Sequence, residues 1–134
     1  ARPGQRTSDS QPFTMFQVVT LASMVEREAR LPEEMPRIAS VYLNRLRRGM
    51  KLQCCATVYY SLGEAAWERP LTYADLKVDS PYNTYLHKGL PPGPIANPGR
   101  PAIEAVLRPE KTDYLFYVYR GDKHHVFSRT YKDL

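Results

Sequence analysis

The chain has 134 residues, 43% of them hydrophobic and 25% charged, with a formal net charge of +5 from 19 basic and 14 acidic side chains. That suits one globular domain with an ordinary core and excludes a disordered or fibrous chain; no apolar run approaches a membrane span and no signal-peptide pattern opens it. The basic excess favours polyanionic company (nucleic acid, anionic lipid or an acidic wall polymer), yet Arg45, Arg47, Arg48 and Lys51 supply much of it near an expected helix end, where cations stabilise the dipole anyway.

Residues 1–12 are polar and aperiodic and read as a linker or tail, leaving 13–134 as a single domain. The next stretch, Thr14 to Arg30, reads as one helix. Thr14 and Gln17 form a T-x-x-Q capping box, Phe13 and Val18 are spaced for a hydrophobic staple, and Pro32 ends the helix by pushing Leu31 out of helical geometry. At roughly 100° per residue, Val18, Leu21, Ala22, Val25 and Ala29 share an apolar stripe. Glu26 falls beside Val19 and Ser23, with Arg30 one turn on as its partner. Glu28 falls on the shoulder of the stripe, between Leu21 and Met24, with no local cation. Two readings follow for Glu28. It is a solvated boundary residue, or it is a carboxyl whose charged form is disfavoured by desolvation and by the negative end of the helix. In the second case it stays protonated near neutral pH and serves as a general acid.

A second helix is expected over Glu33–Arg48, burying Ile38, Val41, Tyr42 and Leu46 and stopped by Gly49. Lys51–Gln53 is extended, Ala56–Leu62 is helical, and Thr72–Asp75 opens a capped short helix. Cys54 and Cys55 are adjacent, which suits neither a disulfide framework nor a zinc site, and read as small buried hydrophobes. His87, His124 and His125 lack metal-ligand spacing, so neither metal nor cofactor is expected.

Residues 80–99 differ in kind, with five prolines and three glycines in twenty positions. Such a segment reads as an ordered loop. Tyr82, Asn83, Thr84 and Tyr85 offer aromatic faces beside amide and hydroxyl groups, which suits a sugar ring; equally, they tie the loop to itself through Asx-type turns. Pro101–Leu107 is a short amphipathic helix. Tyr114–Arg120 is a strand, Gly121–Lys123 turns it, and His124–Ser128 returns as its hairpin partner. Helices first and a hairpin last indicate an α+β fold.

Several stretches together resemble the catalytic domain of the YceG-like (MltG) family of endolytic murein transglycosylases. They are Ala22-Ser-Met-Val-Glu-Arg-Glu28, Ala39-Ser-Val-Tyr-Leu-Asn-Arg-Leu46 with Gly49-Met50, and Leu52-Gln53 followed by Thr57-Val58. The series continues with Tyr82-Asn-Thr-Tyr85, Gly89-Leu-Pro-Pro-Gly93 with Ile95-Ala96 and Pro98-Gly99, Lys111-Thr112, and His125-Val-Phe127. The resemblance implies a lysozyme-like groove and cleavage of the β-1,4 bond between N-acetylmuramic acid and N-acetylglucosamine within glycan strands, leaving 1,6-anhydro ends. The second acid of the family's V-E-x-E helix matches Glu28, the residue also singled out by its helix face; Glu26 is the fallback. Gln53, Thr57, Tyr82, Asn83, Thr84 and His125 are the implied substrate-binding residues. Cys54-Cys55 departs from the family, whose members carry a polar pair ending in Asp.

The resemblance further implies a place at the extracytoplasmic face of the bacterial plasma membrane, with peptidoglycan strands as substrate and cell-wall synthesis proteins as candidate partners. The family's membrane anchor and lysin-motif-like domain would join before Phe13. The rival from another class is a wall-binding module without turnover. Nucleic-acid binding rests only on the basic balance and the many tyrosines, with no reader motif, and is not expected.

Overall fold

The computed structural model describes residues 13–134, so the expected linker over 1–12 lies outside it. The described residues form an α+β domain. Its elements are α1 (Met15–Glu28), α2 (Met35–Arg47), α3 (Cys55–Leu62), α4 (Arg100–Leu107) and a hairpin of β1 (Phe116–Tyr119) and β2 (His125–Ser128). No described helix is long and apolar enough to cross a membrane.

Helix α1 starts where local chemistry dictates. The Gln17 N–H donates to Thr14 Oγ1 at 3.2 Å and the Thr14 N–H to Gln17 Oε1 at 2.9 Å, both halves of the capping box. It ends earlier than its pattern suggests. Ala29 is extended (φ −74°, ψ 141°), and Leu31 before Pro32 is extended too (φ −120°, ψ 129°). A 3-10 turn, Pro32–Glu34, then leads into α2. Arg30 therefore leaves the helix, and the expected Glu26–Arg30 pairing gives way. Glu26 instead accepts the Gly99 N–H at 2.8 Å, placing a carboxylate at the N-terminus of α4, where the helix dipole welcomes it.

The core joins Leu21, Met24 and Val25 of α1 to Ile38, Tyr42 and Leu46 of α2 and to Ala102, Ala105 and Val106 of α4. The polar flank of α1 is also covered: Gln17, Thr20 and Ser23 are buried. Ser23 donates to the Thr20 carbonyl at 2.6 Å and accepts the Ile95 N–H at 3.0 Å, which fastens the proline-rich loop to the helix. This central helix is thus surrounded, not merely amphipathic.

Long-range contacts decide how two sets of polar side chains are used. Arg45, in the last turn of α2, is not left to solvent. Only 7% exposed, it donates Nε to the Leu115 carbonyl at 2.6 Å and Nη1 to the Lys51 carbonyl at 2.9 Å, tying the hairpin and the 51–53 segment to α2. Asn83 and Thr84 do not present their polar groups to solvent either, because both are buried. Asn83 Nδ2 donates to the carbonyls of Leu76 (3.0 Å) and Val78 (2.9 Å) while Oδ1 accepts the Tyr85 N–H at 2.9 Å. Thr84 Oγ1 lies 2.9 Å from Thr57 Oγ1 and accepts the Cys54 N–H at 2.8 Å, so it locks the loop to the start of α3.

In the hairpin Tyr117 faces Phe127 and Tyr119 faces His125 across the ladder. Side chains alternate along a strand, so these four share one face. That face is laid on α2, where the Tyr117 ring meets Tyr42 edge-on at 6.0 Å.

Removing the Asn83 amide leaves two part-buried carbonyls and one N–H without this partner. Asn83→Ala is expected to lower the unfolding free energy by roughly 2–4 kcal/mol. Urea unfolding should show this as a lower midpoint with an unchanged slope.

Candidate active site

The end of α1, the 52–55 segment, Trp67 and the hairpin enclose a cavity of about 540 Å³. Glu28, Gln53, Tyr85, Tyr117, Tyr119 and His125 are among its walls, and Glu28 is the one acid lining it among the described residues. The last turn of α1 puts Glu28 there, since the helix continues just far enough to carry it past the core.

The Glu28 carboxyl is held from behind. The Tyr117 hydroxyl donates to Glu28 Oε1 at 2.7 Å, and the Tyr42 and Tyr117 hydroxyls are 2.5 Å apart. Tyr117 commits its proton to Glu28, so Tyr42 donates to Tyr117. Burial raises the Glu28 carboxyl above its ordinary value; the Tyr117 bond, the nearby His125, the Ala56 N–H and Arg30 oppose this only in part. Burial also pushes both phenols well above their usual range, so they remain neutral donors. The Tyr117 bond thus occupies Oε1.

A second carboxyl, Glu34, is hidden below the hairpin. His125 Nδ1 lies 2.8 Å from Glu34 Oε1, and the His125 N–H reaches both carboxylate oxygens at 3.1 and 3.2 Å. Burial opposes the charge of Glu34, but the His125 hydrogen bonds outweigh it and hold the carboxyl below its usual value. A carboxylate can only accept, so Nδ1 carries the hydrogen and Nε2 is the nitrogen left for the cavity.

The structure brings together Glu28, Gln53 and His125 from the sequence-derived set. Gln53 is exposed, and its φ of 50° is rare for a residue with a side chain. Arg45 Nη1 approaches its Oε1 at 3.4 Å. Thr57, Asn83 and Thr84 are withdrawn from the cavity by the bonds that shape its wall, and Glu26 is committed to α4. Tyr82 does not line this cavity; its ring packs on Tyr60 at 4.8 Å.

Reading the sequence did not find Tyr117, Glu34 or the arginines. The strand alternation that pairs Tyr119 with His125 would have put Tyr117 on the same face, whereas nothing in Pro32-Glu33-Glu34 marks one of its acids as buried. Cys54 is buried as expected, but Cys55 lines the cavity with its Sγ 3.2 Å from the Tyr85 hydroxyl. Burial raises the Cys55 thiol, so the wall is neutral there. Among the described residues no group of three or more His, Cys, Asp or Glu is placed to hold a metal.

Fold and cavity together define an α+β domain that sets the Glu28 carboxyl in the wall of a cavity. The chain belongs to the YceG-like family, whose model matches residues 2–134. It is 45% identical over 120 residues to the endolytic murein transglycosylase of Bacillus subtilis, covering 90% of this chain and 33% of that protein. It is 37% identical over 119 residues to the endolytic murein transglycosylase of Streptococcus pneumoniae D39, covering 87% of this chain and 22% of that protein. The chain thus spans a third or less of the curated relatives it matches. A crystal structure of a YceG-like protein from Listeria monocytogenes superposes with a TM-score of 0.80 at 45% identity, over 90% of this chain and 38% of that one.

The raised carboxyl has a stability consequence. In the unfolded chain Glu28 ionises near its ordinary value of 4.5, while the fold retains the proton to higher pH. The folded state therefore binds more protons above pH 4.5, and its stability falls as pH rises through the folded pKa. Glu28→Gln keeps the acceptor for Tyr117 and removes the buried charge. Its unfolding free energy should exceed that of the wild type at pH 7, with the gap closing below pH 4.5. Urea titrations across that range check this.

Proposed function

We propose that this domain is the cleaving part of an endolytic lytic transglycosylase acting on peptidoglycan. It cuts the β-1,4 bond between N-acetylmuramic acid and N-acetylglucosamine inside a strand and leaves a 1,6-anhydro end. The observation that carries this reading is the single raised carboxyl of Glu28, pinned by Tyr117 at the foot of an aromatic-walled cavity. The names borne by its relatives support the choice of substrate.

One carboxyl serves both halves of such a reaction. Glu28 gives its carboxyl proton to the glycosidic oxygen as the bond from the muramyl C1 to that oxygen breaks. The sugar's own C6 hydroxyl oxygen attacks C1 from within, and its proton passes to the Glu28 carboxylate. The acid is regenerated and no water is consumed. Two-carboxyl glycosidases need their second group as nucleophile or as base for a water. An internal attacker is already at high effective concentration, so a second acid is dispensable. Tyr117 contributes at the moment of proton release, because its hydrogen bond strengthens as Glu28 becomes negative.

Gln53 and His125 are the proposed contacts to the sugars' amide and hydroxyl groups, with Tyr85 and Tyr119 as flat neighbours. Thr57, Asn83 and Thr84 act behind them by holding the wall. Peptidoglycan lies outside the plasma membrane, so the domain works on the extracytoplasmic face. Residues 13–134 form the catalytic domain.

Glu28→Gln should reduce formation of anhydro-muramyl ends by about a hundred- to ten-thousand-fold, read by mass spectrometry of digested strands. Binding of strands by the wild type with no new ends would identify a wall-binding module instead. The wild-type rate should fall as pH rises past the raised pKa of Glu28, and a flat profile into alkaline pH would remove it as the proton donor. Tyr117→Phe takes away a bond that lowers that pKa. The falling limb should move to higher pH while kcat drops about tenfold, the worth of one hydrogen bond to a charged group.

A further inference from the structure

Arg27 and Arg30 flank Glu28 in sequence, line the same cavity and are exposed. The Arg27 guanidinium lies 4.1 Å above the Trp67 ring, and that of Arg30 lies 5.0 Å from the Tyr119 ring. Trp67 follows α3 whereas Tyr119 ends β1, so the two cations stand on different walls. Five other surface arginines, Arg37, Arg69, Arg100, Arg120 and Arg129, are each paired with a carboxylate. Neither Arg27 nor Arg30 forms an ion pair with an acid among the described residues, although Arg30 acts on Glu28 through space, and Arg45, which also reaches the cavity, is spent on carbonyls. Stacking on a ring occupies the face of a guanidinium and fixes its plane. The N–H groups in that plane stay available, in the fork that suits a carboxylate.

We propose that Arg27 and Arg30 form two carboxylate-binding positions that select glycan by the negative charge carried on its muramyl residues. This rests on the peptidoglycan reading above. The ligand chemistry is a carboxylate held off the sugar ring, and two sources exist: the lactyl group of a peptide-free muramyl residue, or the peptide attached to it. An N-acetylglucosamine strand has neither.

Trp67 is the chain's one tryptophan and sits under Arg27, so its emission reports on the cavity directly. The test titrates the Glu28→Gln chain, which cannot turn over, with three oligosaccharides of equal length: N-acetylglucosamine alone, peptide-free muramyl, and peptide-bearing muramyl. Either or both muramyl ligands should bind about tenfold more tightly than the uncharged one, about threefold for each exposed pair. The muramyl ligand that gains identifies the source. Adding Arg27→Gln and Arg30→Gln should abolish the difference, adding Arg100→Gln should preserve it, and raising salt should shrink it without any mutation. Equal binding of all three ligands, or a full difference in the doubly substituted chain, overturns the proposal. A parallel cleavage assay on the wild type separates the two ideas. Anhydro ends with equal binding sink the arginine positions alone, whereas selective binding without anhydro ends sinks the transglycosylase reading and leaves the arginine positions standing.

Discussion

The hydrogen bond from the Tyr117 hydroxyl to Glu28 Oε1 ties every part of the domain to one carboxyl. It requires α1 to stop where it does, so that Glu28 clears the core yet stays under the hairpin. It also requires the hairpin to lie on α2 in one register, because Tyr117 must reach Tyr42 and Glu28 at once. A one-residue slip in β1 would turn Tyr117 to the opposite face. Arg45 secures that register from below by holding the Leu115 carbonyl one residue before the strand. The loop completes the enclosure through Thr57 and Thr84, which set the 53–56 segment beside the same carboxyl.

Charge is sorted around this centre with little overlap. Glu26 and Glu34, two other acids near the end of α1, are committed to Gly99 and His125. The His125 hydrogen bonds hold Glu34 below its usual value. Burial raises the Glu28 carboxyl, and its hydrogen bonds offset this only in part, so its neutral form is favoured. Glu28 and Glu34 are thus shifted in opposite directions by their surroundings alone. In the proposed chemistry that division reserves proton transfer to one of them.

The Cys54-Cys55 pair takes on meaning in this setting. A neutral thiol, that of Cys55, lines the cavity wall next to Tyr85. A carboxylate there would place a second negative charge in the same cavity as Glu28. Its absence leaves Glu28 the lone acid on that surface among the described residues, which suits a mechanism whose second step uses the sugar's own hydroxyl.

What the sequence determined by itself was local. The capping box at Thr14, the stop before Pro32, the left-handed Gly49 and the alternation of the hairpin all act within a few residues, where short-range sterics and hydrogen bonds decide the outcome. The position of Glu28 on the flank of its helix was legible for the same reason. The tertiary structure decided which polar groups were consumed and which were left open. Asn83 and Thr84 carry side chains suited equally to a sugar or to a buried turn, and only the closed loop, with partners at Leu76, Val78 and Thr57, selected the second use. Glu28 and Tyr117 are 89 positions apart. Their meeting depends on how α2, the loop and the hairpin pack together, and that is an energy of the whole folded chain that no short stretch of it carries.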